Sequence, residues 1–190
     1  MGMNQLLITI TGTPGAGKTT VAEALAKEYN LEYHHVGAIM RQIAEEKGID
    51  VNVSNKLGET DPKIDKRIDQ YQVEMGKTLP RAVIDGRMSF YFIPHSIKIL
   101  MTCDAKEAGR RIYSQKRAKE KYHSAKEAYR AAKERYDSEI KRYKKYYNVD
   151  VTDKNHYDIV YDTTNSPEGE AIEDIIQEVS NFLKNKKQAV

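Results

Sequence analysis

Two kinds of hydrophobic pattern divide the chain. Five short runs rich in Ile, Val, Leu and Tyr predict strands covered on both faces, and these are Leu6–Thr11, Leu31–Val36, Arg81–Asp85, Ile97–Met101 and Tyr157–Asp162. Between them, apolar residues recur every three to four positions. This spacing predicts amphipathic helices over residues 19–27, 37–44, 62–75, about 105–147 and 166–183. Strands that alternate with helices predict an α/β fold built on a parallel sheet.

The turn after the first strand carries the strongest chemical signal. Residues 12–19 match the pattern Gly-x-x-x-x-Gly-Lys-Ser/Thr in full. Glycines let successive backbone N–H groups surround a phosphate, and the following helix directs its positive end at the same anion. Lys18 can supply charge to the β- and γ-phosphates of ATP, and the Thr19 hydroxyl can ligate Mg²⁺. The predicted ATP-binding residues are Gly12, Thr13, Pro14, Gly15, Ala16, Gly17, Lys18, Thr19 and Thr20.

Charged residues at strand ends add to this site, because ligands bind at the carboxyl edge of an open parallel sheet. Asp85 ends the third strand and can hold Mg²⁺ through a bound water, whereas an ordinary Asp-Gly turn is the alternative. Arg87 follows it and can contact a phosphate or a base carbonyl. Arg41 lies in the first turns after the second strand and is a candidate phosphate ligand or a solvated helix arginine.

A strongly basic stretch occupies the predicted helix over residues 105–147, which only Gly109 interrupts. Residues 115–145 hold 12 Lys/Arg against five Asp/Glu, a local balance of +7, although the whole chain has a net charge of only +3. Tyrosines recur there every seven residues with alanines between them. This stripe, comprising Tyr122, Tyr129, Tyr136 and Tyr143, predicts a packing seam within a helical hairpin or against a second subunit, with base stacking as the alternative.

Composition narrows the class of protein. A length of 190 residues suggests one domain, and the single cysteine, Cys103, excludes a disulfide framework and fits a reducing cytoplasm. No apolar run approaches a membrane span, and the first strand begins without a leader pattern. We therefore expect an intracellular, cytoplasmic protein.

The ordered motifs resemble the nucleoside monophosphate kinases, and within them the short archaeal-type cytidylate kinases. The resemblance covers nearly the whole chain, through the loop at 12–20, Val36-Gly37 to Arg41, Asp61-Pro62 to Asp65, Asp85-Gly86-Arg87, residues 135–143 and residues 146–168. It implies a P-loop NTPase sandwich of three layers around a central parallel five-stranded sheet. It also implies a core of residues 1–36, 81–112 and 155–190, a small NMP-binding insert at about 37–80 and a long helical lid at about 113–150.

The resemblance further implies transfer of the ATP γ-phosphoryl group to CMP or dCMP with Mg²⁺. Lys18 would hold the β- and γ-phosphates, and Arg41 and Arg87 would bind the monophosphate or its base. Arg135 and Arg142 would come from the lid, Arg111 and Arg117 would flank it, and the backbone of 164–166 would lie by the adenine. This sequence departs from the family in its lysine- and tyrosine-rich stretch at 113–134 and in Asp85, where glutamate is common.

A second hypothesis remains open at this point. An adenylate-kinase-like ATPase could bind RNA or a ribonucleoprotein through the basic helix, and such binding would depend steeply on salt. The kinase interpretation is favoured because Arg41 and Arg87 have no purpose in a pure ATPase. The sequence leaves open the identity of the monophosphate, the choice between ribose and deoxyribose, and the choice between monomer and homodimer.

Overall fold

Five parallel strands form the centre of the molecule in a computed structural model that describes residues 5–39, 62–114 and 122–188. They are β1 (Leu6–Gly12), β2 (Glu32–His35), β3 (Arg81–Asp85), β4 (Ile97–Thr102) and β5 (Ile159–Asp162). Their order across the sheet is β2-β3-β1-β4-β5, and every pairing is parallel. The α/β fold and the five-stranded parallel sheet predicted from the sequence are confirmed.

One face of the sheet is covered by two helices, α1 (Lys18–Tyr29) and α6 (Glu168–Gln188). The core on this face joins alternate residues of β1 to both helices, through Ile8, Ile10, Leu25, Ile175 and Val179 among others. All five of these side chains have no exposed area. The last helix therefore packs directly on the sheet.

The opposite face is covered by α2 (Pro62–Thr78) and the short helix α3 (Ser89–Phe92). Leu7 of β1 points to this side and packs with Ile68, Met75, Ile84 and Ile93. Because neighbouring strand residues point to opposite faces, Leu7 and Ile8 belong to different cores. The sheet is buried on both sides, which explains why its strands show no strict polar alternation.

Two helices, not one, follow β4. Helix α4 (Ala105–Ser114) and helix α5 (Ala125–Tyr147) pack side by side as a hairpin, so the prediction of one helix from 105 to 147 is wrong. Ser124 caps α5 by accepting a hydrogen bond from Glu127 N–H, and the Glu127 carboxylate accepts from His123 N–H. These two bonds cap the start of α5 without any proline, in a variant of the capping box in which the glutamate binds the N–H one residue before the cap.

The tyrosine-alanine stripe lies at packing surfaces inside the molecule. Tyr122 packs with Ile112, Ala128 and Ala132 between α4 and α5. Farther along α5, Tyr143 packs against the segment that contains α3, and Tyr136 is buried. The stripe therefore serves the internal hairpin and the core.

A one-turn 3₁₀ helix (Lys154–His156) links α5 to β5. Within the described ranges, no helix is long and apolar enough to cross a membrane. The division into a core, an insert at 37–80 and a lid at 113–150 stays a prediction.

Candidate active site

The turn between β1 and α1 has the shape that a phosphate cradle requires. Gly15 and Gly17 have φ angles of 76° and 77°, which side chains other than glycine rarely adopt. A Cβ atom on Gly12 would lie 2.0 Å from the Met101 carbonyl oxygen, and one on Gly15 would lie 2.7 Å from Ala108 Cα. The close approach of β4 therefore requires glycine at position 12, and the close approach of α4 requires it at position 15.

Hydrogen bonds hold this loop against β4 and the start of α4. Thr13 N–H donates to the Met101 carbonyl at 3.0 Å, and the Thr13 hydroxyl accepts from Cys103 N–H at 3.0 Å. The Lys18 ammonium donates to the Thr13 carbonyl oxygen at 2.9 Å. Lys18 thus spans the loop from the first turn of α1 to Thr13.

The first turn of α1 meets the end of β3 at Thr19 and Asp85. The Thr19 hydroxyl donates to the Asp85 carboxylate at 3.3 Å, and Asp85 is 4% exposed. The pairing of β2 with β3 sets His35 opposite Asp85, with their polar atoms 4.0 Å apart. Two oxygen donors of the kind that Mg²⁺ prefers therefore lie together beside the loop.

Tyr33 borders the same point from β2. Its ring is stacked with that of His35 at 6.5 Å between centroids. Burial raises the pKa of the Tyr33 phenol to about 12, and the negative charge of Asp85 adds to this effect. The phenol therefore stays protonated throughout the neutral range.

Arg87 reaches from the turn after β3 to the phosphate loop. Its Nη1 donates to the Gly12 carbonyl oxygen, and its Nε donates to the Glu139 carboxylate at 2.9 Å. The guanidinium lies over the Tyr136 ring, 4.6 Å from its centroid. The predicted acceptor-binding arginine is thus held between the loop and helix α5.

The two predicted lid arginines lie on the face of α5 that carries Glu139. Arg135 precedes Glu139 by four residues and Arg142 follows it by three, spacings that share one helical face. Arg135 is half-buried. Arg142 is 5% exposed, with its guanidinium 5.8 Å from the Tyr143 ring centroid. This face of α5 is therefore turned toward Arg87.

Arg111 is tied to the loop that follows β5. It donates to the Thr163 hydroxyl at 2.9 Å, to the Thr163 carbonyl at 2.7 Å and to Glu107 at 2.7 Å. The single proton of the buried Thr163 hydroxyl is shared between the carbonyls of Thr102 at 3.1 Å and Ala16 at 3.3 Å. Through Thr163, Arg111 is therefore linked to Ala16 of the phosphate loop.

The segment predicted to lie beside the adenine approaches the start of α4. The Thr164 hydroxyl accepts a hydrogen bond from Asp104 N–H at 3.0 Å, and the Tyr161 and Ser166 hydroxyls are 3.1 Å apart. The role of this segment in adenine binding stays a prediction. Two further predicted residues, Arg41 and Arg117, lie outside the described residues.

Four residues of this region did not stand out in the sequence. Glu139 and Tyr136 contact Arg87, and His35 and Tyr33 border Asp85, but the sequence alone assigned none of them a role at the site. For Glu139 a signal does exist, because it lies between Arg135 and Arg142 on one helical face. The positions of Tyr33 and His35 beside Asp85 depend on the pairing of β2 with β3, and a local sequence pattern does not define which strands pair.

The sheet, the glycine-rich cradle and the converging cations define a kinase of the P-loop class. Residues 7–165 match the model of the cytidylate kinase-like family, and the chain belongs to this family. A cytidylate kinase from Methanocaldococcus jannaschii is 34% identical over 184 residues, which cover 96% of this chain and 100% of that protein. A cytidylate kinase from Methanocella arvoryzae is 32% identical over 164 residues, which cover 84% and 88% respectively.

Solved structures share the fold at lower identity. An uncharacterised protein from Eubacterium ventriosum aligns with a TM-score of 0.70 and 18% identity, covering 93% of this chain and 99% of that one. Shikimate kinase from Acinetobacter baumannii, in complex with shikimate, aligns with a TM-score of 0.60 and 14% identity, covering 96% and 95%. These similarities concern the fold alone.

Proposed function

We propose that this protein transfers the γ-phosphoryl group of ATP to a nucleoside monophosphate, with CMP or dCMP as the preferred acceptor. The observation that carries the proposal is the position of Arg87, which donates to the carbonyl of Gly12 at the start of the phosphate loop. An arginine there can hold a second phosphate next to the ATP phosphates. The family relatives named cytidylate kinase support cytosine as the base.

The chemistry needs no nucleophilic side chain, because the acceptor phosphate is already ionised. Catalysis then consists of holding two anions in line and neutralising their mutual repulsion. Lys18 acts on the β- and γ-phosphates, Arg87 acts on the acceptor phosphate, and Arg135 and Arg142 supply further positive charge from α5. Arg111 orders the loop after β5 through Thr163.

The donor set beside the loop fits Mg²⁺. Thr19 and Asp85 offer a hydroxyl and a carboxylate 3.3 Å apart, and hard oxygen donors suit this ion. Asp85 would hold it through water and Thr19 directly, and the bound ion supplies neutralisation of phosphate charge. Among the described residues, no cluster of three His, Cys, Asp or Glu side chains forms a metal site of its own, which fits an ion brought in with ATP.

The alternative of an RNA-binding ATPase is not supported. Base stacking needs exposed aromatic faces, whereas Tyr136 is 7% exposed and Tyr122 and Tyr143 are packed in apolar clusters. Because these tyrosines pack within the chain, their pattern does not require a second subunit as a packing partner. A cytoplasmic location remains our expectation on the basis of Cys103, the single cysteine.

A coupled ADP-release assay tests the proposal, with ATP, Mg²⁺ and each of CMP, dCMP, UMP, AMP and GMP. We expect strong stimulation by CMP or dCMP and little by the others. Lys18→Ala abolishes this activity, whereas Lys27→Ala, at an exposed lysine of the same helix, keeps it. Slow ATP hydrolysis that is indifferent to every monophosphate would refute the proposal, as would a normal rate in the Lys18→Ala variant.

A further inference from the structure

Helix α5 supplies both a counter-ion and an aromatic surface to Arg87. Glu139 is 2.9 Å from Nε, and its side chain is only 15% exposed. Three residues earlier on the helix, the Tyr136 ring lies under the guanidinium at 4.6 Å. One element thus contacts the arginine both at its Nε and on its flat face.

These contacts use part of the hydrogen-bonding capacity of Arg87. An arginine carries five N–H donors in a fixed plane. Nε is taken by Glu139 and one Nη1 donor by the Gly12 carbonyl, while Nη2 forms no hydrogen bond with any residue in the described ranges. Three N–H donors, one on Nη1 and two on Nη2, therefore have no hydrogen-bond partner within the described ranges, and phosphate oxygens could accept them.

The environment keeps this group charged. Burial by itself lowers the pKa of Arg87, but the Glu139 carboxylate, together with Tyr136 and Tyr143, outweighs this effect and the net pKa is raised. A buried guanidinium without such a partner would be costly. Glu139 therefore stabilises the full positive charge of Arg87 in a largely enclosed site.

We infer that Glu139 and Tyr136 are positioning residues that fix the orientation of Arg87 for the phosphate of the acceptor nucleotide. This inference rests on the proposed function. A long arginine side chain loses substantial conformational freedom when it is immobilised. If Glu139 and Tyr136 impose that order before the ligand arrives, then less of the binding free energy of the acceptor is spent on ordering Arg87.

Two variants of Glu139 separate hydrogen bonding from charge. Glu139→Gln keeps an oxygen that accepts from Nε and removes a negative charge near the incoming phosphate. We expect CMP to bind this variant at least as tightly as it binds the wild type. Glu139→Ala removes the acceptor altogether, and we expect its affinity for CMP to fall about tenfold or more.

The test is a double-mutant cycle read by calorimetric titration of CMP into the full chain without ATP. If Glu139 acts through Arg87, Glu139→Ala causes no further loss in the Arg87→Ala background. An equal loss in both backgrounds overturns the inference. A loss in Glu139→Gln as large as that in Glu139→Ala also overturns it, because the hydrogen bond would then be irrelevant.

Companion variants test the aromatic contact and guard against unfolding. Tyr136→Phe keeps the ring and leaves CMP affinity unchanged, whereas Tyr136→Leu weakens it several-fold. Glu134→Ala, at a carboxylate of the same helix that is 73% exposed, is the matched control. Retained ATP affinity in each variant shows that the fold is intact, and equal losses of ATP and CMP affinity count against a positioning role.

Failure of the inference and failure of the proposed function give different results. Absence of monophosphate-stimulated ADP release by the wild-type protein refutes the function. An active wild-type protein in which Glu139 and Arg87 contribute independently to CMP affinity refutes the inference alone.

Discussion

The Thr19 hydroxyl donates to the Asp85 carboxylate at 3.3 Å, joining the first turn of α1 to the end of β3. In the sequence these residues are 66 positions apart. The contact brings the threonine of the phosphate motif next to the carboxylate that the sequence predicts as a Mg²⁺ ligand through water. We therefore propose that Thr19 and Asp85 act on the same ion.

Replacement of Asp85 by asparagine tests this assignment. Asp85→Asn keeps the size of the side chain and removes its charge, so we expect the Mg²⁺ concentration for half-maximal activity to rise about tenfold. Asp137→Asn, at a residue that pairs with Lys133 and is 44% exposed, should leave it unchanged. Calorimetric titration of ATP with and without Mg²⁺ provides a second measurement. An unchanged dependence on Mg²⁺ in the Asp85→Asn variant would remove Asp85 from the metal site.

The arginines of α5 are expected to act mainly on turnover. Arg135→Ala or Arg142→Ala should lower kcat by on the order of 10³, because a positive charge near the transferred phosphoryl group acts most strongly in the transition state. The affinity for ATP should change far less. Arg130→Ala, at a guanidinium 73% exposed on the same helix, is the control. Since Arg142 is buried, thermal unfolding should be measured beside kcat; unchanged turnover in both variants would exclude these residues from catalysis.

The contact between α4 and α5 predicts opposite effects for two helical glycines. A Cβ atom on Gly109 would lie 2.8 Å from the Ala125 carbonyl oxygen, whereas one on Gly169 would meet nothing within 4 Å. Gly109→Ala should therefore destabilise the fold by about 1–3 kcal/mol. Gly169→Ala should stabilise it by about 0.5 kcal/mol through helix propensity alone. Urea denaturation measures both changes, and equal effects would contradict the close packing of the hairpin.

The acid side of the stability profile should depend on Glu107. Hydrogen bonds from Arg110 and then Arg111 lower the pKa of Glu107 to about 2. Because the folded pKa lies below that of the unfolded chain, near 4.3, the stabilisation is present above that value and is lost as the pH falls toward 2. Glu107→Gln should therefore reduce the free energy of unfolding at pH 7 and much less at pH 2. Glu178→Gln, at an exposed position on α6, is the control, and a penalty independent of pH would refute this account.

Local sequence was enough to locate the strands of the sheet. The predicted bounds of β3, Arg81–Asp85, agree with the structure at both ends, and β1 differs by one residue. Such strands can be predicted from sequence because burial on both faces requires a continuous apolar run. The phosphate loop can be predicted equally well, because local backbone geometry requires its glycines.

Prediction failed where tertiary contact or a short polar motif decided the structure. The long basic stretch has high helix propensity throughout, and this hid the helix start at which Ser124 and Glu127 accept hydrogen bonds from the backbone. The contact between Arg87 and Glu139 joins residues 52 positions apart, so no local period could reveal it. In the sequence Gly109 appeared to be a weak helix breaker. In the structure, its lack of a side chain allows the backbone of α5 to approach α4 closely.

The cation–aromatic contact at Tyr136 also marks a suitable position for a fluorescent reporter. The chain has 13 tyrosines and no tryptophan. Tyr136→Trp would introduce the only indole of the protein directly beneath the guanidinium of Arg87. Its fluorescence would report each rearrangement of that arginine in real time, so that arrival of the acceptor nucleotide could be followed separately from phosphoryl transfer.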